Sequence, residues 1–198
     1  MIIHHIIPSE DITIYMQKLP QPHHAATIPL SEQEEKKLRS LKNNQRKREF
    51  LAIRNLLYQA GFDGSLIYNK KQPQLKNSAY NISISHCKTH AALAISQYPV
   101  GIDLEIPANR IRKTAGKFLS NKEIKLADND TRNLTLFWSA KESIFKINNN
   151  LSNFRKHLNI IAHDTNNNYI SVECSDHHRS CFYKDMMDVL VTWCIEGK

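Results

Sequence analysis

Between residues 80 and 105 the hydrophobic period of the chain falls to two. Asn81-Ile82-Ser83-Ile84-Ser85-His86 is followed by Ala-Ala-Leu-Ala-Ile-Ser at 91–96 and by Val100-Gly101-Ile102-Asp103-Leu104-Glu105, with only short polar joints between them. Alternation of this kind marks strands, so a sheet occupies the middle of the chain. Helical patterns flank it. Ser31 and Glu34 have capping-box spacing at the head of a segment that sets Leu38, Leu41, Phe50, Ile53 and Leu57 at helical intervals. Gly61 is its predicted stop and Asn43-Asn44 a place where it divides in two. Residues 110–127 suggest one or two more helices, and residues 134–147 read as a strong one closed by three asparagines. Runs at 2–7 and 11–16 read as strands, and those at 158–163, 169–174, 180–184 and 189–196 as antiparallel strands or hairpins. The order fits an α+β protein better than a regular parallel α/β one. Two similar halves, each a helix plus a small sheet, fit the spacing and are expected at 1–98 and 99–198.

Composition narrows the chemistry. A chain of 198 residues, 41% hydrophobic, can bury one sizeable core or two small ones. It contains no apolar run of membrane-spanning length, and its opening lacks the pattern of a signal peptide, so a soluble cytoplasmic protein is expected. Cys87, Cys174, Cys181 and Cys194 are scattered, which makes reduced thiols the default. Lysine and arginine exceed aspartate and glutamate by 27 to 19, a formal charge of +8 that favours anionic partners. With five glycines there is neither a G-x-G-x-x-G nor a Walker-type loop. Any phosphate must therefore be held by side chains and a metal.

Five groups of residues could supply that. On the 100–105 strand, alternation points Asp103 and Glu105 to one face, half of a magnesium site; a strand with a solvated acidic face is the plainer reading of the same five residues. On the 134–147 helix, Trp138, Glu142 and Lys146 follow one another at steps of four, where Glu142 could complete the metal site and Lys146, with Lys141 beside it, could neutralise phosphate charge. An exposed Glu-to-Lys pair with Trp138 in the core fits this spacing too. His86 closes a strand where an imidazolium could meet a phosphate, and Glu123 is a fourth carboxylate able to act as a general base. Either one alone also reads as an ordinary strand-end or surface residue. Arg46, Lys47, Arg48 and Arg54 make a basic helical segment suited to an anion, or a solvated helical face. The charge also admits a nucleic-acid module, for which no supporting motif is present. Cys174, His177, His178 and Cys181 admit a zinc site, although their spacing matches no common zinc module.

Taken jointly, these residues resemble the 4′-phosphopantetheinyl transferase superfamily, whose signature pairs a G-I-D-x-E strand with a downstream W-x-x-K-E-x-x-x-K. Here these are Gly101 to Glu105 and Trp138 to Lys146. Asn81 to His86 is similar to the family's N-x-S-x-S-H element, and Lys117-Phe118-Leu119-Ser120 through Glu123 to its K-F-hydrophobic-S-x-x-E element. Arg46 to Arg54 resembles its R-x-x-E-aromatic-L-x-x-R helix. Two departures stand out: Lys70-Lys71-Gln72-Pro73 occupies the place of a common Gly-Lys-Pro, and Cys87 that of a serine.

The length resembles the longer, surfactin-synthetase-activating type. That implies a pseudo-twofold monomer with its active site between the halves. The resemblance implies transfer of the 4′-phosphopantetheine moiety of coenzyme A to a serine of an apo acyl or peptidyl carrier protein, the holo-[acyl-carrier-protein] synthase reaction, with neither nucleic acid nor membrane as partner. By the same resemblance, magnesium is expected on Asp103, Glu105 and Glu142. The coenzyme is expected on Arg46, Arg54, Lys71, His86, Lys141 and Lys146, with Glu123 as the base for the carrier serine and Lys146 assisting the leaving group.

Overall fold

The computed structural model describes residues 3–21, 28–62, 66–69, 72–147, 153–174 and 177–196. The chain divides into two compact units, residues 1–97 and 98–198. Both mix helices with antiparallel sheet, so the protein is α+β, as its pattern predicts.

The first unit begins with strands β1 (Ile3–Ser9) and β2 (Ile12–Lys18) and helices α1 (Glu32–Ser40) and α2 (Asn44–Gln59). A short hairpin, β3 (Leu66–Asn69) and β4 (Gln72–Leu75), and strands β5 (Asn81–His86) and β6 (His90–Ser96) complete it. The main sheet runs β1-β2-β6-β5. Helix α1 buries no residue and is defined by its end: the Ser31 backbone N–H donates to Glu34 at 2.8 Å, and the Ser31 hydroxyl caps the Glu34 N–H in return. The predicted division falls where expected, because the Asn43 side chain accepts from the N–H groups of Gln45 and Arg46 and starts a new helix. Gly61, at φ +80°, ends α2, with the Phe62 N–H returning to the Leu57 carbonyl at 2.9 Å. Ala52, Ile53, Leu56 and Leu57 of α2 pack with Ile82, Leu93 and Ile95 into this unit's core. The β3–β4 hairpin is an addition to the predicted elements.

The second unit opens with β7 (Val100–Glu105). It continues through α3 (Arg110–Thr114), a 3₁₀ turn at Ala115–Lys117, α4 (Asn121–Leu126), α5 (Thr131–Ile147) and α6 (Phe154–His157). Strands β8 (Leu158–Asp164), β9 (Tyr169–Cys174), β10 (His177–Met186) and β11 (Val189–Ile195) follow. Its sheet has the order β7-β11-β10-β9-β8, antiparallel throughout. Met187 and Asp188, both at positive φ, close the two-residue turn between β10 and β11 in the hand that suits the strand twist. Phe137, Ala140 and Ile144 of α5 join Leu158, Ile170, Val172 and Leu190 in one core. The cysteines are free. Cys174 and Cys181 are buried and His177 and His178 exposed, and among the described residues these four do not gather into a metal site. Among the described residues no helix is long and apolar enough to cross a membrane.

Candidate active site

Helix α5 crosses β7 at its glycine. A Cβ built on Gly101 would stand 1.8 Å from the Ser143 carbonyl oxygen, so only glycine lets the helix backbone lie this close to the strand. The close approach brings the two motifs into contact. From β7, Asp103 and Glu105 face the helix; from α5, Trp138, Glu142 and Lys146 face the strand. Lys146 Nζ donates to Asp103 Oδ1 and to the Ile102 carbonyl, each at 2.8 Å, and Trp138 Nε1 donates to Glu105 Oε1 at 2.9 Å. Trp138 is itself set by Phe118, with ring centroids 4.6 Å apart. The alternation read from the strand holds, but its acidic face is covered by α5 rather than solvated, and Asp103 is buried.

Three carboxylates so placed repel one another. Burial, reinforced by the charge of Asp103 and then of Glu105, pushes Glu142 up to about 7, while the Lys146 ammonium pulls the other way. Glu105 is also raised, first by burial and then by Asp103, with its bond to Trp138 opposing. A cluster that resists its own ionisation is one in which a cation is favourable. All-oxygen donors of this kind suit a hard divalent ion such as magnesium. Among the described residues no three such side chains are gathered closely enough to enclose an ion as they stand. Asp103 instead spends one oxygen on Lys146 and the other on Ser139. The donor chemistry thus fits a divalent cation, with Lys146 holding a positive charge against Asp103.

Beside this face lies a cleft of about 770 Å³, bordered by Glu105, Trp138, Phe118, Phe145, Ile111 and Lys117. The segment running past it carries Arg110, Arg112, Lys113, Lys117, Lys122 and Lys125, all exposed.

Glu123 and Lys141 lie elsewhere and bind each other. Both are buried, at 2% and 0% side-chain exposure, with Lys141 Nζ 2.7 Å from Glu123 Oε1 and 2.9 Å from the Phe118 carbonyl. Glu123 also accepts from the backbone N–H of Ser120 at 2.6 Å and of Ile160 at 2.8 Å. It is the N3 residue of a capping box whose Ser120 starts α4. Burial lowers the Lys141 pKa while its bond to Glu123 opposes that. The pair fastens α4, α5 and β8 together, and both Glu123 oxygens hold donors from the chain itself.

In the first unit, Glu49 organises two of the expected anion-binding groups. Its carboxylate takes Arg46 Nη1 at 3.3 Å, His86 Nδ1 at 3.5 Å and Gln45 Nε2 at 3.1 Å, while Arg46 and His86 keep substantial exposure. Arg54 is redirected inward. It is 2% exposed and pairs with Glu34, the N3 residue of the α1 capping box, so it ties α1 to α2. Lys71 lies outside the described residues.

Sequence reading missed Ser139, Ser143 and Thr192, buried hydroxyls packed behind Asp103. Their signal was spacing: Ser139 and Ser143 sit four apart on one helix, flanking the acidic residue between them.

Fold and site together define an α+β domain whose central helix and first strand build an acidic, cation-favouring face beside an apolar cleft. Residues 99–194, which contain all of that face, match the family model of the 4′-phosphopantetheinyl transferase superfamily. The match takes in nearly the whole C-terminal unit, which therefore belongs to that superfamily, a family of phosphopantetheinyl transferases. None of the curated proteins matches the chain.

Proposed function

We propose that the protein transfers the 4′-phosphopantetheine moiety of coenzyme A to a serine of an apo acyl or peptidyl carrier protein, in a magnesium-dependent reaction of the holo-[acyl-carrier-protein] synthase type. The observation that carries this reading is the meeting of Asp103, Glu105, Glu142 and Lys146 where α5 crosses β7. Asp103, Glu105 and Glu142 would hold the magnesium ion, which when bound supplies positive charge against a pyrophosphate. Lys146 adds a fixed ammonium on the same face, placed to stabilise the adenosine 3′,5′-bisphosphate that leaves as the serine oxygen bonds to the β-phosphorus. Trp138 holds Glu105 in orientation, and its ring and that of Phe118 wall a cleft suited to the pantetheine arm. Arg46 and His86 are our candidates for further phosphate contacts, each kept in place by Glu49. We assign Glu123 and Lys141 to the scaffold. The exposed cations between Arg110 and Lys125 suit an acidic carrier, whose encounter they would steer.

Intact-mass spectrometry of an apo carrier protein incubated with this protein, coenzyme A and magnesium tests the reading. A gain of one phosphopantetheine on the carrier serine, lost with a chelator and in Asp103→Ala, is expected. Unmodified carriers of several types in the presence of folded protein would overturn it.

A further inference from the structure

Asp103 is held by more than its ion pair. Its second oxygen, Oδ2, accepts the Ser139 hydroxyl at 2.9 Å, and behind Ser139 a chain of hydroxyls continues into the core. Ser139 Oγ lies 2.8 Å from Thr192 Oγ1, which lies 2.7 Å from Ser143 Oγ. Ser139, Ser143 and Thr192 are completely buried. No water is needed to complete the chain, and its direction follows from donor counting. A carboxylate accepts and does not donate, so the one Ser139 proton is committed to Asp103. The Ser139 oxygen then accepts from Thr192, and the Thr192 oxygen is left to accept from Ser143. Ser143 is additionally within reach of the carbonyls of Ser139 and Thr192, at 3.0 and 3.2 Å, which keeps its hydroxyl in place whichever acceptor it serves. Aligned hydroxyls polarise one another, and a buried network is rigid when every member is satisfied.

The elements make the chain possible. Thr192 stands opposite Asp103 in the β7–β11 register, so both side chains leave the sheet on the same side. Ser139 and Ser143 arrive from successive turns of α5, and the close crossing at Gly101 brings them within hydroxyl reach. A Lys146 bond fixes one Asp103 oxygen from the open side, and the hydroxyl chain fixes the other from the buried side.

We infer that Ser139, backed by Thr192 and Ser143, is a positioning residue that fixes the orientation of the Asp103 carboxylate for the divalent cation. This rests on the cation site proposed above and assigns part of its affinity to residues that do not touch the ion. Groups behind metal ligands commonly carry about 10- to 100-fold of affinity.

The test is titration of manganese into the full chain, by calorimetry or by the spin-resonance signal of free manganese, well below the melting temperature of each variant. Ser139→Ala is expected to weaken manganese binding about 10-fold, and Thr192→Val, which keeps the shape and removes the hydroxyl, by a smaller factor in the same direction. In turnover, the apparent KM for the metal should rise while kcat at saturating metal and the KM for coenzyme A change little. A purely structural role would lower the melting temperature without that split. Unchanged manganese affinity in a folded Ser139→Ala would overturn the inference, and if that variant does not fold, unchanged affinity in Thr192→Val does so. Failure of the unsubstituted protein to bind manganese would defeat the cation site itself, and this inference with it.

Discussion

The two flanks of helix α5 put a lysine–carboxylate pair to opposite uses. Towards α4 and β8, Lys141 and Glu123 are sealed from water and saturated with backbone partners. Towards β7, Lys146 meets Asp103 at nearly the same separation, 2.8 Å against 2.7 Å, but the lysine is 26% exposed and two more carboxylates crowd the pair. Contact distance does not distinguish a fastener from a cation-favouring face; solvent access and unbalanced charge do. In the first pair the charges cancel and nothing more is attracted. In the second, three carboxylates face one ammonium, and the surplus negative charge invites a cation.

That contrast breaks most visibly under substitution of the lysines. Lys141→Met strands a buried Glu123 and should cost about 3–5 kcal/mol in chemical denaturation, with Glu123→Gln costing a similar amount. The double substitution should recover much of the loss, because it removes both charges. Lys146→Met should leave melting almost unmoved and slow transfer by roughly 10²-fold or more. The reverse pattern, an inactive but fully stable Lys141→Met, would erase the distinction.

A smaller effect separates the flanks by pH. Glu142 is raised from an ordinary 4.5 to about 7, so the folded state holds that proton more tightly than the unfolded chain does. Its contribution to stability is therefore fully present below about pH 4.5 and is lost as pH rises through about 7. The magnitude is at most about 3 kcal/mol, and less because the carboxylate is not wholly withdrawn from water. Without divalent cations, Glu142→Gln should flatten the fall in melting temperature between pH 5 and 8, as followed by circular dichroism. Added magnesium should stabilise the unsubstituted protein more at pH 8 than at pH 6. An identical pH profile in Glu142→Gln would remove the crowding argument.

The smallest effect comes from a third pair on the same helix. Arg132 binds Asp185 in the open, with both side chains more than a third exposed. Arg132→Ala should cost no more than about 1 kcal/mol, and less in high salt. Thermal melts at two salt concentrations would check that the three pairs rank by burial.

Much of this was legible in the sequence because it was periodic. Trp138, Glu142 and Lys146 recur at helical steps and Asp103 and Glu105 at strand steps, so their shared faces followed from geometry alone. The division at Asn43 was equally readable, since a cap announces itself by residue type. What escaped was partnership between distant segments. Lys141 and Lys146 look alike in a motif, and only the placement of β8 shows that one is enclosed. Ser120 and Glu123 carry a capping signature as plain as that of Ser31 and Glu34, a structural role that the sequence reading of Glu123 as a base left out. Gly101 was counted as part of a motif, whereas its reason is the Ser143 carbonyl, 42 residues away in sequence. The β3 and β4 strands are only four residues each, and the apolar run Leu66-Ile67-Tyr68 does not alternate with polar residues, so no period of two marks the hairpin.

The sheet order of the second unit bears on how the protein is made. Strand β7, which carries Asp103 and Glu105, is hydrogen-bonded to β11, so the first strand of this unit to leave the ribosome pairs with the last. Contacts spanning so much chain form late and slowly. Helix α5 can be wound soon after its residues emerge, but Thr192 reaches Ser139 only when β11 has been synthesised. The acidic face is thus assembled only after β11 has been made, and a nascent chain stopped before Val189 would carry both signature motifs yet lack the strand that joins them.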